Sequence, residues 1–519
     1  MRNPIVFTIS LLAATSAVRA QTLPDAGAFA IVDVRVEVGD GSTLDHATIL
    51  LRDGLIRAVG PNLKVPPDAE VIKGAGLVAY PGFIDAGCSR GLKLPDWQPD
   101  QDRVPDTTSL APASMRAANR KWIRPELRAR DCLALTDAIL GPMRKNGFCS
   151  ALFTPAGGLI TGVSAFANLN GVPRREALVR GNVGLCMSFN PSDGAEAGPP
   201  GARQSGAGGT GYPGSLLGII AHIRQALLDG DRNRELMPLY ERTGGVRPPF
   251  DDSLEALQPA LTGKMPVIFN ADSRNEIDRA LRLADEFHLK VILAGGGDAW
   301  KVGPLLNKRG VPVLASVNFG DEPGVVKPSS APSTGTRRPG RRGAPADPPA
   351  PTDDPQTTNP AIPGASAVEV KDEDDTPKAV TADEHRKWEE RVSCAALLEK
   401  AGVPFAFSGS GLKNQGDFLK NVRRAITAGL PKLAALRALT INPAKILGVD
   451  RQLGTIEPGK MANIVLMTAD FTEPGALVKY LVIEKTRFEP GAETAPTPIP
   501  PAAVPADDDE IENSWEQSR

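Results

Sequence analysis

Seven glycine or polar residues at or just beyond the ends of apolar runs are the positions best placed to do chemistry. The run PGFID, residues 81–85, leads into two of them, and the runs that end in VIF, VIL and FAF lead into the others. Hydroxyl and amide groups hydrogen-bond a ligand well, whereas metals prefer imidazole, thiolate or carboxylate. The pattern favours a substrate- or ligand-binding site formed by Gly87, Ser89, Asn270, Asp272, Gly295, Ser408 and Ser410.

Three carboxylates and one thiol lie close to these positions in the sequence. Asp272, Glu276 and Asp298 have the chemistry of general acids and bases. Glu276 lies at the start of a helical pattern, and Asp298 can also lie at the start of one. At such a position the helix dipole alone favours a negative charge. Cys88 faces away from its two neighbours along a strand, and a lone buried thiol is inert as a rule. We therefore predict no catalytic residue and no metal ligand.

The histidines argue against a metal centre independently. The chain has four, His46, His222, His288 and His385. None follows one of the apolar runs, and no two have the spacing that grips one ion. An exposed or packing role is expected for each.

Two β-rich ends flank a middle region with a different pattern of apolar residues. Residues 28–59 alternate apolar and polar residues around the turns GDG and DG, and a similar pattern returns near residues 461–488. Between them, at least five short apolar runs alternate with helical stretches, of which SRNEIDRALRLADEFH is the clearest. This order predicts the α/β class, with a closed (β/α)8 TIM-like barrel favoured over an open sheet and a small β-sandwich domain formed from both ends of the chain.

Four longer stretches carry a family resemblance. They are GLVAYPGFIDAG, NADSRNEIDRALRLADEFHLKVILAGG, FLKNVRRAITAGLPKLAALRALTINPAKILGV and LGTIEPGKMANIVLM. The chain resembles the amidohydrolase superfamily, in the branch of imidazolonepropionases and exported dipeptidases, over about residues 28–488. The resemblance implies carbon–nitrogen hydrolases with a metal at the carboxyl-terminal mouth of the barrel, and a tendency to form homo-oligomers.

The chain departs from the family at the metal positions. Relatives usually continue the PGFID frame into His-x-His, which would hold zinc, but here these positions are Gly87 and Ser89. Asn270 replaces a histidine, residues 294–296 read Ala-Gly-Gly, and residues 408–410 read Ser-Gly-Ser where an aspartate is expected. We predict a metal-depleted member without zinc, in which Asp85 anchors backbone amides.

The predicted organisation has seven segments. A basic start, an apolar run over residues 5–17 and an Ala-x-Ala-like end at Ala20 indicate a signal peptide. The predicted segments are a signal peptide (1–20), the β-sandwich domain (21–80 and 449–490), the barrel (81–322 and 381–448), a disordered Pro-rich insertion (323–380) and a disordered acidic tail (491–519). An exported protein, periplasmic or secreted, without a membrane span after cleavage is therefore expected.

Composition narrows the partners. With 59 Lys and Arg against 61 Asp and Glu, the net charge of −2 provides no basic field for nucleic acid. The five cysteines are scattered and odd in number, so no disulfide framework is predicted. An unknown small molecule is the expected partner.

One glycine-rich loop stands out between two apolar runs. Residues 154–169, TPAGGLITGVSAFANL, contain Gly157, Gly158 and Gly162, which allow positive φ. Two roles stay open for this loop, a structural turn of the chain and contact with a ligand.

Three functions remain open from the sequence. The first is a non-catalytic or metal-independent protein that binds a small ligand. The second is an active amidohydrolase or dipeptidase-like hydrolase with an unconventional site, which leaves catalysis undecided. The third is an envelope scaffold that uses its insertion and tail for protein contacts.

Overall fold

The computed structural model describes residues 28–95, 122–192, 213, 215–248, 250–323 and 378–490. The chain divides into two compact units, one of residues 1–318 and 393–519 and the other of residues 319–392. The predicted signal peptide and acidic tail, and most of the Pro-rich insertion, lie outside the described residues. In the second unit, Asp383 pairs with Arg386 and Lys387, both at 2.6 Å.

Strands from both ends of the first unit form one mixed sheet of eight strands. They are β1 (Phe29–Glu37), β2 (Thr43–Arg52), β3 (Leu55–Pro61), β4 (Glu70–Lys73), β5 (Val78–Pro81), β16 (Asn463–Met467), β17 (Val478–Ile483) and β18 (Thr486–Phe488). Their order is β18-β17-β16-β5-β1-β2-β3, with β4 beside β1. Side chains from both ends, including Ile31, Ile49, Leu466 and Val482, share one apolar core.

The predicted hairpins are confirmed. β1 pairs with β2 and β2 with β3, both antiparallel. The β2–β3 turn places Asp53 and Gly54 at φ 57° and 75°, a conformation that Asp-Gly adopts readily. The two ends therefore meet in a single sheet, whereas the predicted sandwich of two sheets stays a prediction.

The middle of the first unit contributes two further sheets. Their strands are β6 (Phe83–Cys88), β7 (Phe148–Phe153), β8 (Ile160–Val163), β9 (Ala165–Asn168), β10 (Leu178–Arg180), β11 (Leu185–Ser188), β12 (Val267–Ala271), β13 (Val291–Gly295), β14 (Val313–Ser316) and β15 (Phe405–Ser408). β6 and β7 are parallel, and β11 to β15 are successive parallel neighbours. Ile84, Leu152, Ile268, Leu314 and Ala406 pack into one core, so both sheets bury side chains against each other. The predicted mixed α/β character is confirmed.

Helices follow most of the parallel strands. They are α1 (Ala129–Cys132), α2 (Asp137–Lys145), α3 (Arg174–Ala177), α4 (Leu216–Thr243), α5 (Asp252–Leu261), α6 (Arg274–Phe287), α7 (Gly303–Arg309), α8 (Lys378–Lys400), α9 (Phe418–Thr427), α10 (Lys432–Leu439) and α11 (Ile441–Ile446). Among the described helices, none is both long and apolar enough to cross a membrane.

α6 forms where the sequence predicts it. Its buried residues include the five predicted apolar positions, Ile277, Ala280, Leu281, Ala284 and Phe287. Ser273 caps the helix: its hydroxyl accepts from the Glu276 amide, and the Glu276 carboxylate accepts from the Ser273 amide. This capping box fixes where α6 starts, beside the end of β12.

The glycine-rich loop forms the β8 and β9 strands. β8 pairs antiparallel with β11, and β9 pairs antiparallel with β7. Gly157 and Gly162 have φ of 82° and 116°, and a Cβ on Gly162 would lie 2.3 Å from the Leu127 oxygen. Gly158 does not adopt a positive φ, and a Cβ there would approach the Trp122 oxygen at 3.0 Å.

Candidate functional site

A cavity with about 560 Å³ of empty space, including its opening, lies at the carboxyl ends of the parallel strands. Strands β6 and β11 to β15 each contribute residues at or near their carboxyl ends to it. Its lining consists of Ala86, Gly87, Ser89, Thr154, Pro155, Ala156, Gly158, Thr161, Cys186, Met187, Ser188, Ile268, Asn270, Ala294, Leu314, Ser408 and Ser410.

Five of the seven predicted site residues line this cavity. They are Gly87, Ser89, Asn270, Ser408 and Ser410. Asp272 and Gly295 do not line it. The Asp272 carboxylate is exposed and accepts a hydrogen bond from the Gly297 amide at 2.8 Å, and Gly295 lies beside Asn270.

Thr154, Thr161 and Ser188 line the cavity but are absent from the predicted set. The glycine-rich loop was the available signal for the two threonines, since it begins at Thr154. Ser188 ends β11, and the backbone amide of Asn190, two residues further on, donates to the Ser188 hydroxyl at 2.9 Å. Its strand was too short to recognise from alternation alone.

The lining is uncharged in the described residues. Six of its side chains are hydroxyls and one is an amide, and the rest are apolar, sulfur-containing or glycine. The Thr161 hydroxyl donates to the Pro155 oxygen at 2.8 Å. In contrast, the hydroxyls of Ser89, Thr154 and Ser410 have no hydrogen-bond partner within the described part of the chain. Among the described residues, nothing competes with a ligand for these three groups.

Ser408 and Gly87 meet at the floor of the cavity, between the ends of β6 and β15. The Ser408 hydroxyl donates to the Gly87 oxygen at 3.3 Å and accepts from the Ser410 amide at 3.2 Å. A Cβ on Gly87 would lie 2.4 Å from the Ser408 hydroxyl oxygen, which real side chains do not tolerate. The space that a side chain at position 87 would need is therefore filled by Ser408.

Asp85 lies directly beneath this contact and is fully buried. One carboxylate oxygen accepts from the Gly87 amide at 3.0 Å and from the Gly409 amide at 2.8 Å, which confirms the predicted anchoring role. The other oxygen has no hydrogen-bond partner in the described residues. Burial raises the pKa of Asp85 to about 7, although both amides favour the charged form.

The donors at the family's metal positions do not fit a divalent ion. Gly87 has no side chain, and Ser89, Asn270 and Ser408 offer only neutral oxygens or nitrogen. A histidine at position 87 would clash with Ser408. Within the described ranges, no three His, Cys, Asp or Glu side chains form a group suited to a metal.

All four histidines fall within the described residues, and none lines the cavity. His46 lies on β2 and contacts Asp33 at 2.6 Å, which raises its pKa. His222 is buried on α4, His288 ends α6 in a left-handed conformation, and His385 lies on α8.

The other candidate groups are also engaged or inert. Asp298 accepts from the Arg274 amide at 3.2 Å and pairs with Lys301 at 2.7 Å, so it holds the start of α6. Cys88 is buried, and its thiol contacts the Arg90 oxygen at 3.5 Å. Burial raises the pKa of the Cys186 thiol, on the cavity wall, to about 12. All five cysteines are free.

Comparison with known proteins finds similarity to amidohydrolases over part of the chain. Residues 364–484 match the model of the amidohydrolase family. The adenine deaminase of Paracoccus denitrificans is 40% identical over 78 residues, 14% of this chain and 13% of that protein. The adenine deaminase of Moorella thermoacetica is 48% identical over 56 residues, 11% of this chain and 9% of that protein. The chain thus matches a small part of the length of these curated relatives.

The fold comparison is more extensive. An amidohydrolase from Thermotoga maritima has a TM-score of 0.65 and 19% identity, covering 89% of this chain and 100% of that chain. This likeness establishes the amidohydrolase fold, which the cavity at the strand ends also fits. Together with the family-model match over residues 364–484, this likeness in fold bears out the predicted resemblance to the amidohydrolase superfamily.

Proposed function

We propose that this protein binds a small uncharged molecule in the strand-end cavity and does not use a metal there. The observation that carries the proposal is the contact between Ser408 and Gly87. Position 87, where metal-binding relatives usually have a histidine, has its side-chain space filled by the neutral Ser408 hydroxyl, which leaves a binding pocket without strong metal donors.

The lining favours a particular ligand chemistry. A charged ligand would lose its hydration without meeting an opposite charge among the described lining residues, which is costly. Hydroxyls both donate and accept, so Ser89, Thr154 and Ser410 suit a ligand with donors and acceptors. Ile268, Ala294 and Leu314 offer it an apolar wall. A sugar, a neutral cyclic amide or a nucleobase has these properties.

The finer architecture belongs to the same proposal. The shared core of β6, β7 and β11–β15 and the Thermotoga maritima likeness support a (β/α)8 barrel, with the sheet from both ends as its small β-domain. We place the chain in the metal-depleted, imidazolonepropionase-like branch.

Export is proposed from the first twenty residues. Cleavage after Ala20 would give a mature protein that starts at Gln21. Amino-terminal sequencing of the protein from the producing cell tests this, and an intact Met1 in all fractions would contradict it.

The binding proposal is tested by thermal shift and calorimetry with panels of neutral sugars, cyclic amides and nucleobases, alongside charged analogues of similar size. A neutral compound should stabilise the protein, and its charged analogue should not. Ser89→Ala or Ser410→Ala should weaken binding about 3- to 10-fold, because each removes one hydrogen bond. Ser42→Ala, in the exposed β1–β2 turn, is the matched control.

Two results would overturn the proposal. One is tight binding of charged compounds that the serine variants leave unchanged. The other is turnover of a carbon–nitrogen substrate by the purified protein that a chelator abolishes, since this would establish the hydrolase with an unconventional site.

A further inference from the structure

A second cavity opens directly beside the strand-end cavity. It contains about 1180 Å³ of empty space, including its opening. Ser89 and Ala156 line both cavities, so the two spaces meet where β6 ends and the glycine-rich loop begins. We call the second space the side cavity. The room for a ligand therefore continues from the strand ends past Ser89.

The side cavity is lined mainly by apolar side chains. They belong to the segment after β6, to the segment before α2 and to α2 itself: Leu92, Leu94, Ala134, Ala138, Ile139 and Pro142. The two leucines and the isoleucine are partly buried, so they have apolar surface left to cover. Apolar walls beside a few polar groups are typical of small-molecule sites. The two cavities thus differ in chemistry, since hydroxyls are frequent in one and aliphatic groups in the other.

Hydrogen bonds hold the walls of the side cavity in place. The Ala134 amide donates to the Gly91 oxygen at 2.8 Å, which ties the segment before α2 to the segment after β6. The Asn146 side chain donates to the oxygens of Pro142 and Gln415 at 3.0 and 2.9 Å. A site whose walls are already held needs little ordering when a ligand binds, which favours affinity.

Besides Ser89, two polar side chains line the side cavity. Among the described lining residues Arg90 alone is charged, and its guanidinium donates to the Leu412 and Lys413 oxygens at 3.1 and 2.7 Å. Gln415 is only 4% exposed, and its side-chain oxygen has no hydrogen-bond partner within the described part of the chain. A buried acceptor without a partner is costly, so a ligand with a donor at this place would gain affinity.

We infer that the two cavities together bind one elongated, uncharged ligand with a polar head and an apolar tail. The head occupies the strand-end cavity, and the tail lies against Leu92 and Ile139 in the side cavity. A hydrogen-bond donor on the tail meets the Gln415 oxygen. This inference rests on the proposed function, which supplies the head, and adds the tail and the residues that select it. The primary amide of a medium-chain hydroxy acid has this chemistry.

A homologous series of amides tests the apolar tail. Acetamide, butanamide, hexanamide and octanamide are titrated against the purified protein, and ligand-observed NMR gives the Kd of each. Each added methylene should tighten binding about two- to fourfold until the side cavity is filled, because it leaves water for an apolar wall.

A variant that fills the side cavity separates the tail from the head. Ala138 is exposed on α2, so Ala138→Trp adds bulk to the side cavity without disturbing a buried residue. It should abolish the gain with chain length and leave acetamide binding unchanged. Gly141→Trp on the same helix is the matched control, since Gly141 does not line the side cavity and nothing lies within 4 Å of a Cβ there.

The acceptor on Gln415 is tested with hexanamides that carry a hydroxyl at carbon 4, 5 or 6. At least one of them should bind Gln415→Leu about 3- to 10-fold more weakly than the unmodified protein, because one hydrogen bond is lost. Hexanamide itself should bind this variant at least as well. If the variant affects none of the hydroxyamides, Gln415 does not contact the tail and the inference is wrong at that point.

Three further results would overturn the inference. One is equal affinity for all four amides, which is also expected if another part of the chain fills the side cavity. The second is a gain with chain length that Ala138→Trp leaves intact. The third is tighter binding of the monoamide of hexanedioic acid than of hexanamide, since the site would then select a charged tail.

The same data distinguish this inference from the proposed function. Equal binding of all four amides that Ser410→Ala weakens would leave the head site standing and remove only the tail. Binding of no amide at all would contradict both. Circular dichroism of each variant shows whether it has folded, so a misfolded variant is not read as a loss of binding.

Discussion

Carboxylates hold glycine amides at two places near the cavity, one buried and one exposed. At the seam between β6 and β15, Asp85 is fully buried and accepts from Gly87 and Gly409. At the start of α6, Asp272 is exposed and accepts from Gly297. The same interaction should therefore matter far more at the seam, because water replaces a lost partner only at the exposed place.

The positions of these two carboxylates also bear on whether the cavity can hold a metal ion. Neither carboxylate lines the cavity, although Asp85 lies within β6 and Asp272 directly follows β12, two strands that contribute to the lining. Each one organises backbone instead, which leaves the cavity lining neutral in the described residues.

The largest expected effect follows from removing each carboxylate in turn. Asp85→Ala leaves two buried amides without an acceptor, at about 1–3 kcal/mol each. Asp272→Ala exposes one amide to water and should cost less than about 1 kcal/mol. Urea unfolding measures both, and equal losses would show that burial does not distinguish the two places.

A smaller effect of the same burial is a dependence on pH. The folded pKa of Asp85, about 7, is raised above its ordinary value of 3.8. The stability that protonated Asp85 contributes to the folded protein is therefore complete below its ordinary pKa and is lost as pH rises through 7. At about 1.4 kcal/mol per pKa unit, the free energy of unfolding should fall by a few kcal/mol between pH 4 and 8.

Asp85→Asn is the variant that isolates this dependence. Asparagine keeps an acceptor for both amides but does not titrate, so its unfolding free energy should fall less between pH 4 and 8. An unchanged slope would assign the pH dependence to other groups.

The contact between Gly87 and Ser408 can be tested by a double-mutant cycle. Gly87→Ala should cost about 1–3 kcal/mol through overpacking, and Ser408→Ala in the same chain should recover most of it. Gly60→Ala is the matched control, since nothing lies within 4 Å of a Cβ there. No coupling energy between positions 87 and 408 would mean that the ends of β6 and β15 are not in contact.

A small effect is also expected at the α6 cap. Ser273→Ala removes one half of the capping box and should cost about 0.5–2 kcal/mol by urea unfolding. Glu276→Gln should lower the free energy of unfolding by less, because the glutamine side-chain oxygen still accepts from the Ser273 backbone amide. A larger loss of stability for Ser273→Ala than for Asp85→Ala would show that the exposed start of α6 matters more than the buried seam between β6 and β15.

Local patterns predicted much of the fold. The hairpins and α6 have strong local signals, Asp-Gly turns with alternation in one case and a capping box with a 3.6-residue period in the other. A small β-domain built from both ends of the chain was also expected, because the hairpin-like alternation of residues 28–59 returns near the other end, and both ends do contribute strands to one sheet. The β8 and β9 strands were missed as strands, since their four-residue length is too short for alternation to register.

The site was predictable in part for a similar reason. Strand ends are visible in sequence, so Gly87, Ser89, Asn270, Ser408 and Ser410 were found. Side-chain direction is not visible, and Asp272 was included although its carboxylate turns to Gly297. The close approach of Ser408 to Gly87 is a contact over more than 300 residues of sequence, which no local pattern encodes.

Metal content is the most direct test of the neutral strand-end site. The protein is purified from cells grown with added zinc, manganese and iron, dialysed, and analysed by inductively coupled plasma mass spectrometry beside its Ser408→Ala variant. We expect no stoichiometric metal in either protein and no loss of thermal stability with a chelator. One or two ions per chain that survive dialysis and are lost with chelator would contradict the proposal and place a metal at this fold's mouth after all.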